Sequence, residues 1–143
     1  MSNCVATLFD QFFATSHTIR SAVIDPDGND GNGSFILILA SGHKIVIEDS
    51  GQCCCEQRYL HTSDDLTDLV GDNLVSIQVD GVKCLDESGE EHEVAFLKVS
   101  TNRDSVVIET HNEHNGYYGG FSLKASVTDP SGNWLGSIDL DTW

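Results

Sequence analysis

The chain has 143 residues, of which 23 are acidic and 7 are basic, and its formal net charge of −16 repels the phosphate backbones of nucleic acids. We therefore expect no direct nucleic-acid binding. No apolar run approaches the ~20 residues that cross a bilayer, and Met1–Phe13 lacks the basic start of a secretion signal, so we expect no membrane association and a cytoplasmic location. The length predicts a single domain over residues 1–143.

The N-terminal part of the chain predicts a short helix followed by strands. Apolar residues with helical spacing lie within residues 1–16, around Phe9 and Phe12. From Thr18 the apolar period changes to two, which is the period of a strand with one buried face. Three strands are predicted, over Ile19 and Ala22–Ile24, over Ser34–Ala40 and over Lys44–Ile47.

The join Asp25–Gly33 is dense in Asp, Asn and Gly and resembles half of a calcium-binding loop. A helix-flanked calcium loop needs Gly at its sixth position and a bidentate carboxylate at its twelfth. Those two positions hold Asp30 and Ile36. The segment therefore predicts a plain turn between two strands.

The second half of the chain predicts a short helix and four further strands. Thr62–Gly71 has a capping hydroxyl, early Asp residues and a terminal Gly, as a short helix would. The strands are predicted near Leu74–Val82, Glu93–Ser100, Ser105–Thr110 and Tyr117–Ser126. We thus expect a mainly β (α+β) domain: one curved antiparallel sheet of about six to eight strands with one or two short helices. Residues 127–143 add an edge strand or form a C-terminal extension.

Three motifs in sequence order resemble a known domain family. They are Cys54-Cys55-Glu56, the helix ending Asp68-Leu69-Val70-Gly71, and Asn115-Gly116-Tyr117-Tyr118. The pattern is similar to a small family of unknown function that is frequent in phage and prophage genomes, and it covers about residues 18–125. Cys53 stands where that family often has Asp, and the segment after Ser126 lies outside the shared pattern. The resemblance implies a phage-encoded accessory protein in the host cytoplasm, of a kind often directed against host defence, and supplies no mechanism.

The cysteines are the first candidates for chemistry. Five occur, and three are consecutive at Cys53–Cys55, which favours free thiols over disulfides. Cys53–Cys55 with His61, His111 and His114 form the set that could hold zinc, with Cys53, Cys55 and His61 as the candidate metal ligands. Structural zinc sites usually have two to four residues between paired cysteines, whereas these cysteines are consecutive, although a loop could bring Cys53 and Cys55 to one ion. We expect no metal and no cofactor. Motifs of nucleophilic or metal-dependent hydrolases are absent, so we predict that the protein is not an enzyme, with a thiol enzyme as a weaker alternative.

The segment His111–Tyr118 is the main candidate binding site. Asn115-Gly116 suits a tight hairpin turn, but a turn does not account for the two His, one Glu and two Tyr around it. Polar aromatics can anchor a partner or stack on a base; the alternative is one Tyr in the core and the rest solvated. The candidate binding residues are His111, Glu113, His114, Asn115, Tyr117 and Tyr118, with Arg58 and Arg103 as cations for a phosphate.

Two functions are compatible with these features. The first is a non-enzymatic inhibitor of a host defence or regulatory protein, which binds a basic surface through acidic residues; the candidates are Asp64, Asp65, Asp68, Glu90 and Glu91. Charge that only maintains solubility is the simpler alternative. The second function is a sponge for a small nucleotide immune signal near the Tyr-rich hairpin, although the seven cations are scattered in sequence. A homo-oligomer is compatible with both.

Overall fold

The computed structural model describes residues 17–50, 57–87, 90–114 and 121–140, with side chains for all of these except 30, 80–91 and 114. The described residues form nine strands. Their bounds are β1 Ile19–Asp25, β2 Ser34–Leu39, β3 Lys44–Asp49, β4 Gln57–His61, β5 Leu74–Glu87, β6 Glu90–Thr101, β7 Ser105–His114, β8 Leu123–Thr128 and β9 Trp134–Asp139.

The strands belong to two antiparallel sheets, so the prediction of one curved sheet is wrong while the mainly β class is confirmed. The first sheet has the order β1-β2-β3-β8-β9, and the second has the order β4-β7-β6-β5. The chain leaves the first sheet after β3, builds the whole second sheet, and returns with β8 paired to β3. Apolar periodicity identifies strands but does not report which strands pair over long distances, and therefore cannot count sheets.

Both sheets contribute to one hydrophobic core. Alternate residues of β2 and β6 face it: Phe35, Leu37 and Leu39 on β2, and Ala95, Leu97 and Val99 on β6. Since side chains of both sheets belong to this single cluster, the sheets pack face to face as two layers.

The start of β1 ties the two sheets together at one end. Thr18 forms an isolated bridge with Asn73, next to β5, and the amide of Ile19 donates a hydrogen bond of 2.8 Å to the carbonyl of Asp72. The amide of Gly71 donates to the carbonyl of Ile19, also over 2.8 Å. Gly71 has a φ of 91°, which glycine adopts without strain and which turns the chain into this contact.

The predicted helix over Thr62–Gly71 is shorter than expected. A 3₁₀ helix covers Leu66–Leu69, and the side chain of Asp65 caps it by accepting from the amide of Thr67. Only Leu69 is fully buried there, so a longer helix would gain little packing to offset its ordering. Asn29–Gly31 forms one further 3₁₀ turn, and the predicted N-terminal helix within residues 1–16 lies outside the described residues.

Two strands differ from the sequence predictions. β4 was not predicted, because Gln57, Arg58 and His61 leave only Leu60 as an aliphatic marker. β8 begins at Leu123 rather than near Tyr117. Within 127–143, β9 is an edge strand of the first sheet, and its Trp134 is 66% exposed.

Candidate functional site

A groove lies where an edge strand of each sheet meets the connection that follows β4. β1 is an edge of the first sheet and β4 an edge of the second. The groove has a volume of about 480 Å³. Its apolar lining consists of Ala22, Val23, Ile24, Leu60 and Leu66, and its polar lining of His61, Thr62, Asp64, Asp65 and Thr67.

Side chains of the connection hold the acidic wall of this groove in place. The hydroxyl of Thr62 donates to the carbonyl of Val107 on β7 over 2.7 Å, and the carboxylate of Asp64 accepts from the amide of Val107 over 2.8 Å. These bonds extend the pairing of β7 beyond the end of β4. The Asp65 carboxylate accepts from the amide and hydroxyl of Thr67, and the hydroxyl bond is the first cause of the lowered pKa of Asp65. The groove therefore carries fixed negative charge at neutral pH.

The predicted acidic residues do not form one surface. Asp64, Asp65 and Asp68 are exposed and lie on the connection after β4, where Asp64 contacts Val107. Glu90 and Glu91 begin β6, and Glu91 pairs with His114 at the other end of β7. Seven residues of strand separate these positions on β7, or roughly 23 Å at about 3.3 Å per residue. The side chains of Glu90 and Glu91 lie outside the described ones.

A cluster of polar rings occupies the outer face of the second sheet beside the groove. Register places His61 opposite Glu109 and Tyr59 opposite His111. The Glu109 Oε1 atom is 3.3 Å from His61 Nδ1 and 3.0 Å from His111 Nε2. Tyr59 stacks on His111 with ring centroids 4.5 Å apart and planes 6° from parallel. We call His61, Glu109 and His111 the His-Glu-His cluster.

His92 supports the cluster from β6. Its Nε2 lies 2.7 Å from His111 Nδ1, and both rings are buried. Desolvation is the main cause of the lowered pKa of His111, and the hydrogen bond from His111 is the main cause of the lowered pKa of Glu109. A neutral His111 that donates through Nε2 to the ionised Glu109 accepts at Nδ1, which assigns the donor role to His92.

The remaining predicted site residues are spread over the fold. His111 and Glu113 lie on the outer face of β7, and His114 is the last residue of β7 with an undescribed side chain. Arg58 is 4% exposed and both carboxylate oxygens of Asp49 lie 2.9 Å from its Nη1. Outside the described residues lie Asn115, Tyr117, Tyr118, Cys53 and Cys55.

Arg58 and Arg103 do not converge. Arg58 pairs with Asn112 near one end of β7, whereas Arg103 lies on the turn before Ser105 at the other end. Lys98 and Arg103 both line a polar hollow of about 540 Å³ at that turn, which Asp104 also lines. The guanidinium of Arg103 is 3.7 Å from Asp72.

Sequence reasoning missed Tyr59, His92 and Glu109. The available signal was alternation, because Tyr59 and His61 on one strand and Glu109, His111 and Glu113 on another share a face at spacing two. This alternation identifies the cluster only if β4 is known to be a strand and to pair with β7. The local sequence pattern predicts neither the strand nor its pairing.

The protein is thus a two-sheet antiparallel β domain with an acidic groove where the sheets meet and a His-Glu-His cluster beside it. The chain belongs to the family described as a domain of unknown function (DUF7448), whose model matches residues 16–124. This confirms the predicted membership of an uncharacterised domain family. No curated protein and no solved structure matches the chain. None of the described helices has the length and apolar character that crossing a membrane requires.

Proposed function

We propose that this protein is a non-enzymatic binding protein whose acidic groove takes a basic, partly apolar segment of a protein partner. The observation that carries the proposal is the lining of the groove, in which aliphatic side chains lie beside the fixed carboxylates of Asp64 and Asp65. Such a surface can bury an aliphatic stem while it pairs with the cation at the stem's end, as Lys and Arg side chains allow.

The charge of the whole chain supports the same kind of partner. A net charge of −16 attracts a basic protein over roughly one Debye length, about 8 Å at physiological salt, and accelerates encounter. Long-range attraction adds little specificity, which has to come from a compact contact. Val23 on β1 is 47% exposed within the groove and is suited to this contact, because a buried apolar anchor contributes more than a rim charge.

The biological setting belongs to the same proposal. Resemblance to a family that is frequent in phage and prophage genomes supports a phage-encoded protein that acts in the host cytoplasm. Its partner would be a host defence or regulatory protein with a basic surface, which it inhibits by occupying that surface. Binding alone would suffice for inhibition of this kind, and no catalytic step is needed.

A nucleotide sponge near the Tyr-rich hairpin receives less support. Arg58 is committed to Asp49, and Arg103 and Lys98 lie at the opposite end of β7 from the residues that precede this hairpin. A phosphate at the hairpin would therefore compete with Asp49 for Arg58 and lie at the opposite end of β7 from Arg103.

Two valines of similar exposure allow a matched test of the groove. Val23 is 47% exposed and lines the groove, whereas Val75 on β5 is 52% exposed and is not among its lining residues. Val23→Lys and Val75→Lys change the net charge equally, so long-range attraction is the same in both. We expect Val23→Lys to weaken binding of Arg-containing amphipathic peptides by about tenfold or more, and Val75→Lys by less than about twofold.

The readout is fluorescence anisotropy with a panel of such peptides and with copies in which Glu replaces Arg. Equal affinities of the two variants, or equal binding of the Glu copies, would exclude the groove as the site. Replacing Tyr117 and Tyr118 together by Ala tests the hairpin separately. A loss of more than ~2 kcal/mol in that double variant alone would move the site to the hairpin.

A further inference from the structure

We propose that His61, Glu109 and His111 bind one divalent transition-metal ion, with Zn²⁺ as the ion that fits them best. The three ligand atoms lie within 4.8 Å of one another. This inference does not rest on the proposed function, because it concerns the outer face of the second sheet and needs no protein partner.

The distances in the cluster are close to those of a tetrahedral site. Bonds of about 2.0–2.1 Å at tetrahedral angles place neighbouring ligand atoms roughly 3.3–3.4 Å apart. Glu109 Oε1 is 3.3 Å from His61 Nδ1 and 3.0 Å from His111 Nε2. The His61 side chain is 57% exposed, so rotation of its ring towards an ion meets less packing than rotation of a buried ring would.

The pairing of β4 with β7 sets the relative positions of all three ligands. His61 and Glu109 are direct cross-strand partners, and His111 follows Glu109 by two residues on the same face. Stacking on Tyr59 fixes the plane of the His111 ring. Ligands on paired strands hold their relative positions better than ligands on loops, so little ordering is needed when an ion binds.

His92 can hold the ring of His111 in the orientation that metal binding requires. A histidine that binds a metal through one ring nitrogen commonly donates a hydrogen bond from the other, which sets its tautomer and orientation. His111 Nδ1 is 2.7 Å from His92 Nε2, on the side of the ring away from Glu109. With an ion on Nε2, the His111 proton resides on Nδ1 and is donated to His92.

The donor set selects the class of ion. Two imidazoles and one carboxylate suit Zn²⁺, Ni²⁺ or Cu²⁺, whereas Ca²⁺ and Mg²⁺ prefer oxygen ligands alone. Three protein ligands leave a fourth position for water or for a group from a partner. His61 also lines the acidic groove, so this position lies at the margin of the groove.

The site differs from the one that sequence reasoning considered and set aside. That set used the thiols of Cys53–Cys55 with His61, His111 and His114, and the spacing of its cysteines was unfavourable. His61 and His111 belong to both sets. In the fold Glu109 supplies the third ligand instead of a thiol, and it lies 48 positions after His61 in the chain.

The test is metal titration of chelator-treated, full-length protein with Zn²⁺ in a calorimeter and with Co²⁺ in an absorption spectrometer. We expect saturable binding near one ion per chain. His61→Ala and Glu109→Gln should each weaken it by about tenfold or more, since loss of even a supporting group costs 10–100-fold. His43→Ala is the matched control, because His43 lies on the β2–β3 turn; it should change affinity by less than about twofold.

A variant with Ser at Cys53, Cys54 and Cys55 separates this site from the thiols. Binding that persists in it, with no thiolate-to-cobalt charge-transfer band in the parent protein, supports the inference. The inference is overturned if the parent shows no saturable binding, if the Ser variant loses binding, or if His61→Ala, folded by circular dichroism, binds like the parent.

Discussion

The position of Thr110 on β7 buries its side-chain hydroxyl in an apolar environment. It faces the core from β7 and is fully buried, between Glu109 and His111 on the opposite face. Among the described residues its hydroxyl has no hydrogen-bond partner. A buried hydroxyl without a partner loses its hydration and gains nothing in return.

We expect Thr110→Val to raise the free energy of unfolding by about 1 kcal/mol, since it keeps the shape and removes the buried oxygen. Thr101→Val is the control, because the Thr101 hydroxyl donates to Asp72 and accepts from the amide of Asp104. That change should lower stability by about 1 kcal/mol or more. Urea denaturation measures both, and a loss of stability in Thr110→Val would contradict the argument.

At the residue scale, part of the candidate site was predictable. His111 and His61 were both singled out from the sequence, His111 as part of the segment His111–Tyr118 and both as candidate metal ligands with the cysteines. Their relation to Glu109 was not, since the three side chains meet only through the pairing of β4 with β7. A residue's chemistry is local, whereas its neighbours on a sheet depend on register.

At the element scale, one buried ion pair joins β3 of the first sheet to β4 of the second. Arg58 Nη1 lies 2.9 Å from each carboxylate oxygen of Asp49, which is itself 3% exposed. Asp49 also accepts from the amide of Ser122, and its carbonyl accepts from the side chain of Asn29. Arg58 thus holds an edge strand with little apolar surface of its own.

Removing one partner of this pair leaves the other charge buried. We expect Asp49→Ala to lower the free energy of unfolding by about 3–5 kcal/mol, because burial of an unpaired guanidinium is costly. The double variant Asp49→Leu, Arg58→Met should lose less than Asp49→Ala alone, since no charge remains. Chemical denaturation gives both values; a double variant that is less stable than Asp49→Ala would show that the pair contributes more than mutual neutralisation.

At the scale of the whole molecule, like charge dominates. The chain carries 23 acidic against 7 basic residues, so its surface repels itself in the folded state more than in the expanded one. The exposed ion pairs of the described residues, such as Lys124–Asp139 at 3.9 Å, are long and offset little of this.

Salt should therefore stabilise the protein. We expect Tm to rise by roughly 2–4 °C between low salt and about 0.3 M NaCl, as screening weakens the repulsion. Replacing the exposed Asp27 and Asp68 by Lys should raise Tm at low salt and reduce the further gain from NaCl. Differential scanning calorimetry measures the shift, and a Tm that falls with salt would mean that favourable ion pairs outweigh the repulsion.

Local residue patterns were enough to predict the mainly β class, most of the strands and the acidic character. Seven strands were predicted near β1, β2, β3, β5, β6, β7 and β8, because an alternating apolar pattern is local and is read without knowledge of the fold. Composition likewise fixed the net charge. These properties depend on residues that are close neighbours in the chain.

Long-range contacts are needed to specify the division into two sheets, the pairing of β4, the groove and the His-Glu-His cluster. Each depends on contacts between distant segments: β8 with β3, β4 with β7, and the start of β1 with Asp72 and Asn73. Such pairings are selected by the packing of a shared core and by pairs such as Arg58–Asp49. Local periodicity is the same whichever partner a strand takes, so it carries no record of that choice.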